Sequence, residues 1–527
     1  MGNYSEGHIC QCLSRLANAR RNVVVTISGD RQKTGEQFVE EVLCLARGLL
    51  ELGVGAGDIV AISAFNSDLY LEWLLAIAFV GAIAAPLNYR WSPEEARLAM
   101  LVVRPVMLVT DESCHSWFSN LQHNDVPSIR WHVSLNSRTS DVMKIGNVLT
   151  TETLKRCSAS SAPIDYCWAP EGAVIICFTS GTTGRPKGVT LNHAALIIQS
   201  LAKIAIVGYG EDDVYLHTAP ICHVGGLSSA MAMLMVGGCH VIIPKFEPKS
   251  ALVAIELYSV TSLITVPAIM ADIISLIRKK ETWKGKETVN KILNGGGGLS
   301  MELILDATLF FPRAKLISAY GMTETCSSLT FITLFDPIRE TLGLHLKTVA
   351  DTRSTSVHQS QGVCVGKPAP HVELKICTED SAPVGRILTR GLHVMLSYWG
   401  QISAKTSDSS NERWLDTGDV GSIDEYGNLW LIGRKKGQIK SGGENIYPEE
   451  VEAVLIQHPG VIGVVIVGIP DARLTEMAIA CIQLKENWLW SDTSFKHIDD
   501  NTKGLLLSGE ILQCYCREKN ITAYVHK

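Results

Sequence analysis

No CxxC pair occurs in the 527 residues, although the chain holds 15 cysteines. They are scattered, with Cys10/Cys12 and Cys514/Cys516 as CxC pairs, which fits neither the common zinc spacings nor a disulfide frame. Reduced thiols in an intracellular protein fit it better. Blocks of like charge are missing too: 47 basic and 53 acidic residues are spread along the chain, for a formal charge of −6. A nucleic-acid partner calls for a basic face, so that class is set aside. Long hydrophobic runs are scarce. The longest, Trp73 to Leu87, is too short to span a bilayer and contains Pro86, so it reads as a core helix ending near Gly81. Residues 1–22 lack a secretory apolar region, and Glu6 breaks the myristoylation pattern. Tyr524-Val-His-Lys527 is not a peroxisomal tripeptide. Nothing in the sequence sets an oligomeric state.

Two familiar nucleotide loops are also absent. A Walker A loop needs Gly-Lys-Ser/Thr before a helix, whereas Lys187 is followed by Gly188 and the β-prone Val189-Thr-Leu191. A Rossmann fingerprint fails because Gly295-Gly-Gly-Gly-Leu-Ser300 ends in Ser.

What is present is enough for a large core, since 46% of the residues are hydrophobic, and the length suits a large domain plus a smaller one. Helical spacing over Phe38–Leu52 gives way to a strand-like Ile59–Ile62. Ser92-Pro93-Glu94-Glu95 is a good helix start, and Val106–Thr110 reads as a strand. Such alternation predicts α/β layers with buried sheets. Polar stretches near 340–361 and 401–413 read as surface loops. A charged, Gly-bearing junction at Gly433-Arg-Lys-Lys-Gly-Gln438 precedes a fresh unit, in which Tyr447-Pro-Glu-Glu450 opens a helix and Val461–Ile469 is a strand. That is a plausible domain boundary.

Chemistry concentrates in four segments. Phe178-Thr-Ser-Gly-Thr-Thr-Gly-Arg-Pro-Lys-Gly-Val189 places Thr179, Ser180, Gly181, Thr182, Thr183 and Gly184 after an apolar strand. Uncovered backbone donors suit a polyphosphate, and Lys187 adds a mobile charge. A plain surface turn is the competing reading. Ala319-Tyr-Gly-Met-Thr-Glu-Thr-Cys-Ser327 offers Tyr320 for stacking a purine, Gly321 for close approach and Thr323 as a donor. Glu324 is a hard oxygen ligand for Mg²⁺. A simple strand-end cap would account for the same residues. Gly296, Gly297 and Gly298 give a bare backbone edge for adenine. Asp419, read as lying in a turn between β-prone runs, would accept from both ribose hydroxyls, with Arg434 as a second contact; an ordinary turn and a solvated charge are the alternatives.

In this order and spacing the four segments resemble the acyl-adenylate-forming (AMP-binding) superfamily over essentially the whole chain. The resemblance implies an α/β fold: a large N-terminal domain of layered sheets (1–433), a hinge near 434–437 and a small α+β C-terminal lid (437–527). It implies ATP, Mg²⁺ and coenzyme A as reactants of a carboxylic acid–CoA ligase. Lys187, Thr323 and Glu324 would serve the chemistry, Lys436 would sit at the hinge, and Lys440, Ser441, Gly442 and Gly443 would line the CoA tunnel. A solubilising basic cluster is the plainer account of the lysines. Within the superfamily the match resembles plant ortho-succinylbenzoate–CoA ligases most, on Tyr209–Tyr215, Ile221–Ser229, Lys291–Ser300 and Gly321–Ser328. Coumarate ligases usually read Ala-Gly-Pro at Thr325-Cys326-Ser327. His223 and Ser327 are therefore the candidate contacts to an aromatic keto acid with two carboxylates, with a core histidine as the alternative for His223. Chloroplast or peroxisome is the implied address. A different aromatic or fatty acid substrate, and a non-catalytic adenylate-binding form, are the competing functions. One departure stands out: no Pro-x-Thr-x-x-Gly-Lys-x-x-Arg segment follows the hinge. The resemblance makes that lysine the bridge between carboxylate and α-phosphate, so the lid is expected to be incomplete and adenylation by these 527 residues slow.

Overall fold

A computed structural model of the chain describes residues 7–114, 125–136, 149–157, 165–179, 186–341, 362–378, 383–401, 414–434, 437, 439–441, 444–471, 475–491 and 505–518. The expected surface loops at 342–361 and 402–413 lie outside them, as do Ser180–Gly184, Lys436, Gly442 and Gly443.

Local signals set most of the helices. Thr34 accepts from the Gln37 amide and Gln37 reaches back to Thr34, a capping box that starts the Gly35–Glu51 helix. Ser92 and Glu95 repeat the arrangement for Pro93–Val103. The apolar run forms the helix Asp68–Phe79, one turn earlier than its hydrophobic residues suggested, because Ser67 caps it. Every residue of that helix is buried, Asp68 and Glu72 included, and both of these carboxylates are ion-paired. Its chain then turns at Gly81 (φ 73°) into the strand Ile83–Pro86.

Two sheets carry the first four-fifths of the chain. Eight described strands form one, with the neighbouring parallel set Ile83–Pro86, Ile59–Ser63, Met107–Thr110 and Trp131–Ser134 beside the antiparallel pair Ala173–Thr179 and Lys187–Asn192. The second has thirteen described strands. Its parallel half runs through Cys239–Ile242, Val214–His217, Ser262–Thr265, Lys291–Asn294 and Lys315–Met322, and Ser327–Phe335 turns it antiparallel. The helices His193–Val207 and Val224–Val236 pack against each other beside these sheets. The strand-forming residues are near-continuous apolar runs, as expected when both faces are covered.

A smaller sheet follows, built from Ile439–Ser441, Glu444–Ile446, the long hairpin Val461–Asp471 with Thr475–Leu484, and the helix Pro448–Leu455. It has its own apolar cluster, including Ile439, Ile446, Leu455 and Ile466. Among the described residues no helix is long and apolar enough to cross a membrane.

Candidate active site

Two of the candidate segments, Gly296–Gly298 and Tyr320–Glu324, lie at or just beyond the ends of neighbouring parallel strands, the usual place for ligands in α/β folds, while Thr179 with Lys187 and Asp419 with Arg434 sit on antiparallel pairs. Thr179 and Lys187 face each other as paired residues at the tips of two antiparallel strands, so the loop between them leaves from a rigid hairpin. Gly188 fits there because a Cβ would lie 2.7 Å from the Ile176 side chain. Lys187 Nζ sits 5.1 Å from the centre of the Tyr398 ring.

Tyr398 was not picked out from the sequence, yet it ties two segments together. Its hydroxyl donates to Glu324 Oε1 at 2.8 Å. Strand Ser397–Tyr398 pairs with Val189 and Thr190, and the Met395 amide donates to the Glu324 carbonyl at 2.9 Å. Glu324 is buried, and no ion pair among the described residues reaches its carboxylate. Thr323 opens the same short 3₁₀ turn.

Tyr320 lies on Lys315–Met322 and donates its hydroxyl to Asp419 Oδ2 at 2.5 Å, while Arg434 Nε approaches Asp419 Oδ1 at 3.2 Å. Asp419 therefore belongs to a strand, Leu415–Ile423, and not to the turn expected for it. The Asp-Thr-Gly-Asp signal marked a kink inside the strand: Gly418 has φ 77°, and Asp419 is still directly opposite Arg434 on the neighbouring strand. Burial, ahead of the opposing pull of Tyr320 and Arg434, leaves the Asp419 carboxyl above its usual range. Gly296 (φ 68°), Gly297 and Gly298 are exposed next to this strand end, and Asn294 Nδ2 braces the loop by donating to the Gly297 carbonyl at 2.7 Å.

His223 is the N-terminal cap residue of the Val224–Val236 helix and is exposed, so it is not a core histidine. Crowding by the surrounding protein, then the Arg90 guanidinium, holds its pKa below the ordinary value. Ser327 follows Cys326, and both have positive φ (108° and 53°). Gly321 makes that turn possible, because a Cβ there would lie 1.7 Å from the Ser327 carbonyl oxygen. Buried Gln199 clamps it from the neighbouring helix, donating to the carbonyls of Thr325 (2.9 Å) and Ser328 (2.7 Å). One helical turn on, Lys203 Nζ reaches Ser327 Oγ at 3.3 Å. Neither Gln199 nor Lys203 was expected; the available signal was two polar residues on the buried stripe of an apolar helix. Lys440 and Ser441 lie on a strand of the smaller sheet, Ile439–Ser441, shortly after Arg434 in the chain.

The family model for AMP-binding enzymes matches residues 13–399, and that for the AMP-binding enzyme C-terminal domain matches residues 450–506. The chain belongs to the AMP-binding enzyme family. It is 56% identical to a 2-succinylbenzoate–CoA ligase, chloroplastic/peroxisomal, of Arabidopsis thaliana, over 99% of this chain and 93% of that protein. An indoleacetate–CoA ligase of Aromatoleum aromaticum is 30% identical over 86% of this chain and 83% of its own length. Among solved structures, an o-succinylbenzoate CoA synthetase of Bacillus subtilis in complex with its acyl-adenylate intermediate aligns with a TM-score of 0.72. That match has 25% identity and covers 96% of this chain and 91% of the other. Members of this family use ATP, and the same Bacillus protein has also been solved with ATP and magnesium. The two-domain fold expected from the sequence is the one these matches show.

Proposed function

We propose that this protein is an AMP-forming ligase that joins 2-succinylbenzoate to coenzyme A, working in a plastid or peroxisome. The observation that carries the reading is the 56% identity, over 99% of the chain, to a relative named for that reaction and those compartments. In the first half-reaction a substrate carboxylate attacks the α-phosphorus of ATP and pyrophosphate leaves. In the second, the CoA thiol attacks the acyl carbon and AMP leaves.

The side chains suit that sequence. Lys187 and the Thr179–Gly184 loop would cradle the β- and γ-phosphates, with the rigid hairpin fixing where the charge sits. Asp419, oriented by Tyr320 and Arg434, would take the ribose, and the exposed Gly296–Gly298 edge would lie along adenine. Mg²⁺ typically binds through one or two carboxylates plus substrate phosphates, and Glu324, buried with a neutral phenol as its partner, fits such an ion. When bound, the ion would offset phosphate charge. Thr323 would donate to the nascent acyl phosphate. His223 and Ser327 would contact the acid. The boundary near 434–437, with Lys436 at the hinge and 437–527 as the lid, falls between the two family matches. Rotation there would bring Lys440, Ser441, Gly442 and Gly443 to the CoA thiol's path.

The test separates the half-reactions. Supplied with preformed 2-succinylbenzoyl adenylate and CoA, the 527-residue polypeptide is expected to make the thioester at a family-like rate. From free acid, ATP and CoA it is expected to make the same thioester with release of pyrophosphate and AMP. Thioester from coumaroyl or fatty-acyl adenylate in preference would transfer the reading to another acid. No thioester from any adenylate would leave an adenylate-binding protein.

A further inference from the structure

Lys203 is fully buried, and among the described residues the hydrogen-bond partners of its ammonium are all hydroxyls. Ser228 Oγ lies 2.5 Å away, Ser229 Oγ 3.1 Å and Ser327 Oγ 3.3 Å. No ion pair among the described residues includes it. A cation without a counter-charge is costly inside a protein, and burial pulls this lysine down to about 7. Nothing in the fold requires the cost, since the two helices it joins already pack through apolar residues. The third hydroxyl is the informative one. Ser327 is only partly buried, and it is held in a strained turn that Gln199 clamps and only glycine at 321 permits. Backbone strain maintained by dedicated contacts is characteristic of ligand sites. The helix that carries Ser228 and Ser229 begins at exposed His223, so the lysine is tied both to the helix that His223 caps and to the turn that carries Ser327.

We propose that Lys203 is the specificity-determining cation of the acid pocket: it receives, with Ser327, the second carboxylate of the substrate, the one that is not adenylated. This rests on the dicarboxylate reading above. A monoacid leaves the lysine as unpaired as it is in the free protein, whereas a diacid supplies the missing charge, so discrimination comes from the ion pair that only the diacid forms.

The groups facing Lys203 are few. The Cys326 thiol is pushed up to about 12 by burial, the Tyr209 and Tyr215 phenols around Ser229 are raised, and His223 is lowered. All are neutral at pH 8 in the free protein, and the Lys203→Met comparison separates proton gain by Lys203 from gain by His223.

The probes are two non-hydrolysable acyl-sulfamoyl adenosines, one bearing the 2-succinylbenzoyl group and one lacking its free carboxylate; both bypass adenylation. By calorimetry the wild-type protein is expected to bind the diacid analogue about 100-fold more tightly, in line with a buried charge-assisted contact. At pH 8 it should take up close to one proton with that analogue and none with the other. Lys203→Met should lose the 100-fold preference and the proton uptake while binding the monoacid analogue within threefold of wild type. Preference and uptake retained in Lys203→Met would overturn the assignment. Should that variant not fold, diacid binding by the wild type without proton uptake would overturn it equally. Wild-type protein that binds neither analogue would instead sink the functional reading.

Discussion

Two buried lysine sites sit in the same domain and are built in opposite ways. Lys33 and Lys155 converge on Glu72, whose side chain has no exposed surface, and Asp68 and Glu41 complete the set. Lys33 Nζ is 2.9 Å from Asp68 and Lys155 Nζ 2.7 Å from Glu72. Arg31 adds a 2.6 Å contact to Asp68. Every charge there has an opposite partner. Lys203 has three hydroxyls. Burial pulls at Lys33 too, but Glu72 and Asp68 outweigh it and leave its pKa above the usual value, whereas Lys203 falls to about 7. A compensated charge cluster pins elements together: here the strand Arg31–Thr34, the helix Asp68–Phe79 and the helix Thr151–Cys157. An uncompensated one keeps a vacancy for a ligand. Glu324 is the anionic counterpart of Lys203, a buried carboxylate whose partner is the neutral Tyr398 hydroxyl.

Breaking the compensated site should have the largest effect. Glu72→Gln leaves Lys155 and Lys33 buried with too little negative charge, and the expected loss is about 3–5 kcal/mol. It would appear as a much earlier urea midpoint, with analogue binding at low denaturant retained. A midpoint unchanged by Glu72→Gln would dissolve the contrast between the two sites.

The pH dependence of stability should then run in opposite directions. Lys203 has a folded pKa near 7 against about 10.5 in the unfolded chain. Between those values the unfolded state binds more protons, so this group's contribution rises with pH. Lys203→Met removes that penalty: the variant should unfold later than wild type at pH 7, and the gap should close as pH approaches 10. Lys33 is raised, so its contribution is full below about 10.5 and lost as pH climbs through its folded value. Lys33→Met should therefore be the less stable protein at pH 7, with its deficit shrinking only above pH 10.

Tyr398→Phe probes the anionic counterpart. Without the phenol, Glu324 is buried with no side-chain hydrogen-bond donor among the described residues, at an expected cost of about 1–3 kcal/mol in the free protein. A cation arriving with ATP would restore the balance. Mg·ATP should thus raise the unfolding midpoint of Tyr398→Phe more than that of wild type, and ATP with a chelator should not. Equal protection of both proteins would place the cation elsewhere.

The contrast also marks what can be read from residues alone. Caps such as Thr34/Gln37 and Ser92/Glu95 announce helices because their chemistry is local. The paired strand ends at Thr179 and Lys187, the Thr323–Thr325 turn and the exposed Gly296–Gly298 segment can be located for the same reason, since each is one unbroken stretch, and their ligand roles belong to the proposal. Asp419 was misplaced because a kinked strand and a turn share the same Gly and Asp residues. Tyr398, Gln199 and Lys203 escaped because their meaning lies in partners 74, 126 and 124 positions away. A lysine in an apolar helix can snorkel to solvent or be buried, and only the packing of a second helix decides between them.

The smallest effect is expected where the smaller sheet touches the large domain. Lys485 Nζ meets Glu302 at 3.2 Å, with both side chains well exposed. Such pairs contribute roughly 0–1 kcal/mol and are screened by salt. Lys485→Ala should change the unfolding midpoint by less than about 0.5 kcal/mol equivalent, and what loss there is should be larger at low salt than at high. That weakness suits the rotation proposed for residues 437–527, since a clasp with a Glu72-like network would hold one orientation. A loss above about 2 kcal/mol in Lys485→Ala would mean that the pair belongs with the compensated sites. The proposed rotation would then have to break a strong contact in every turnover.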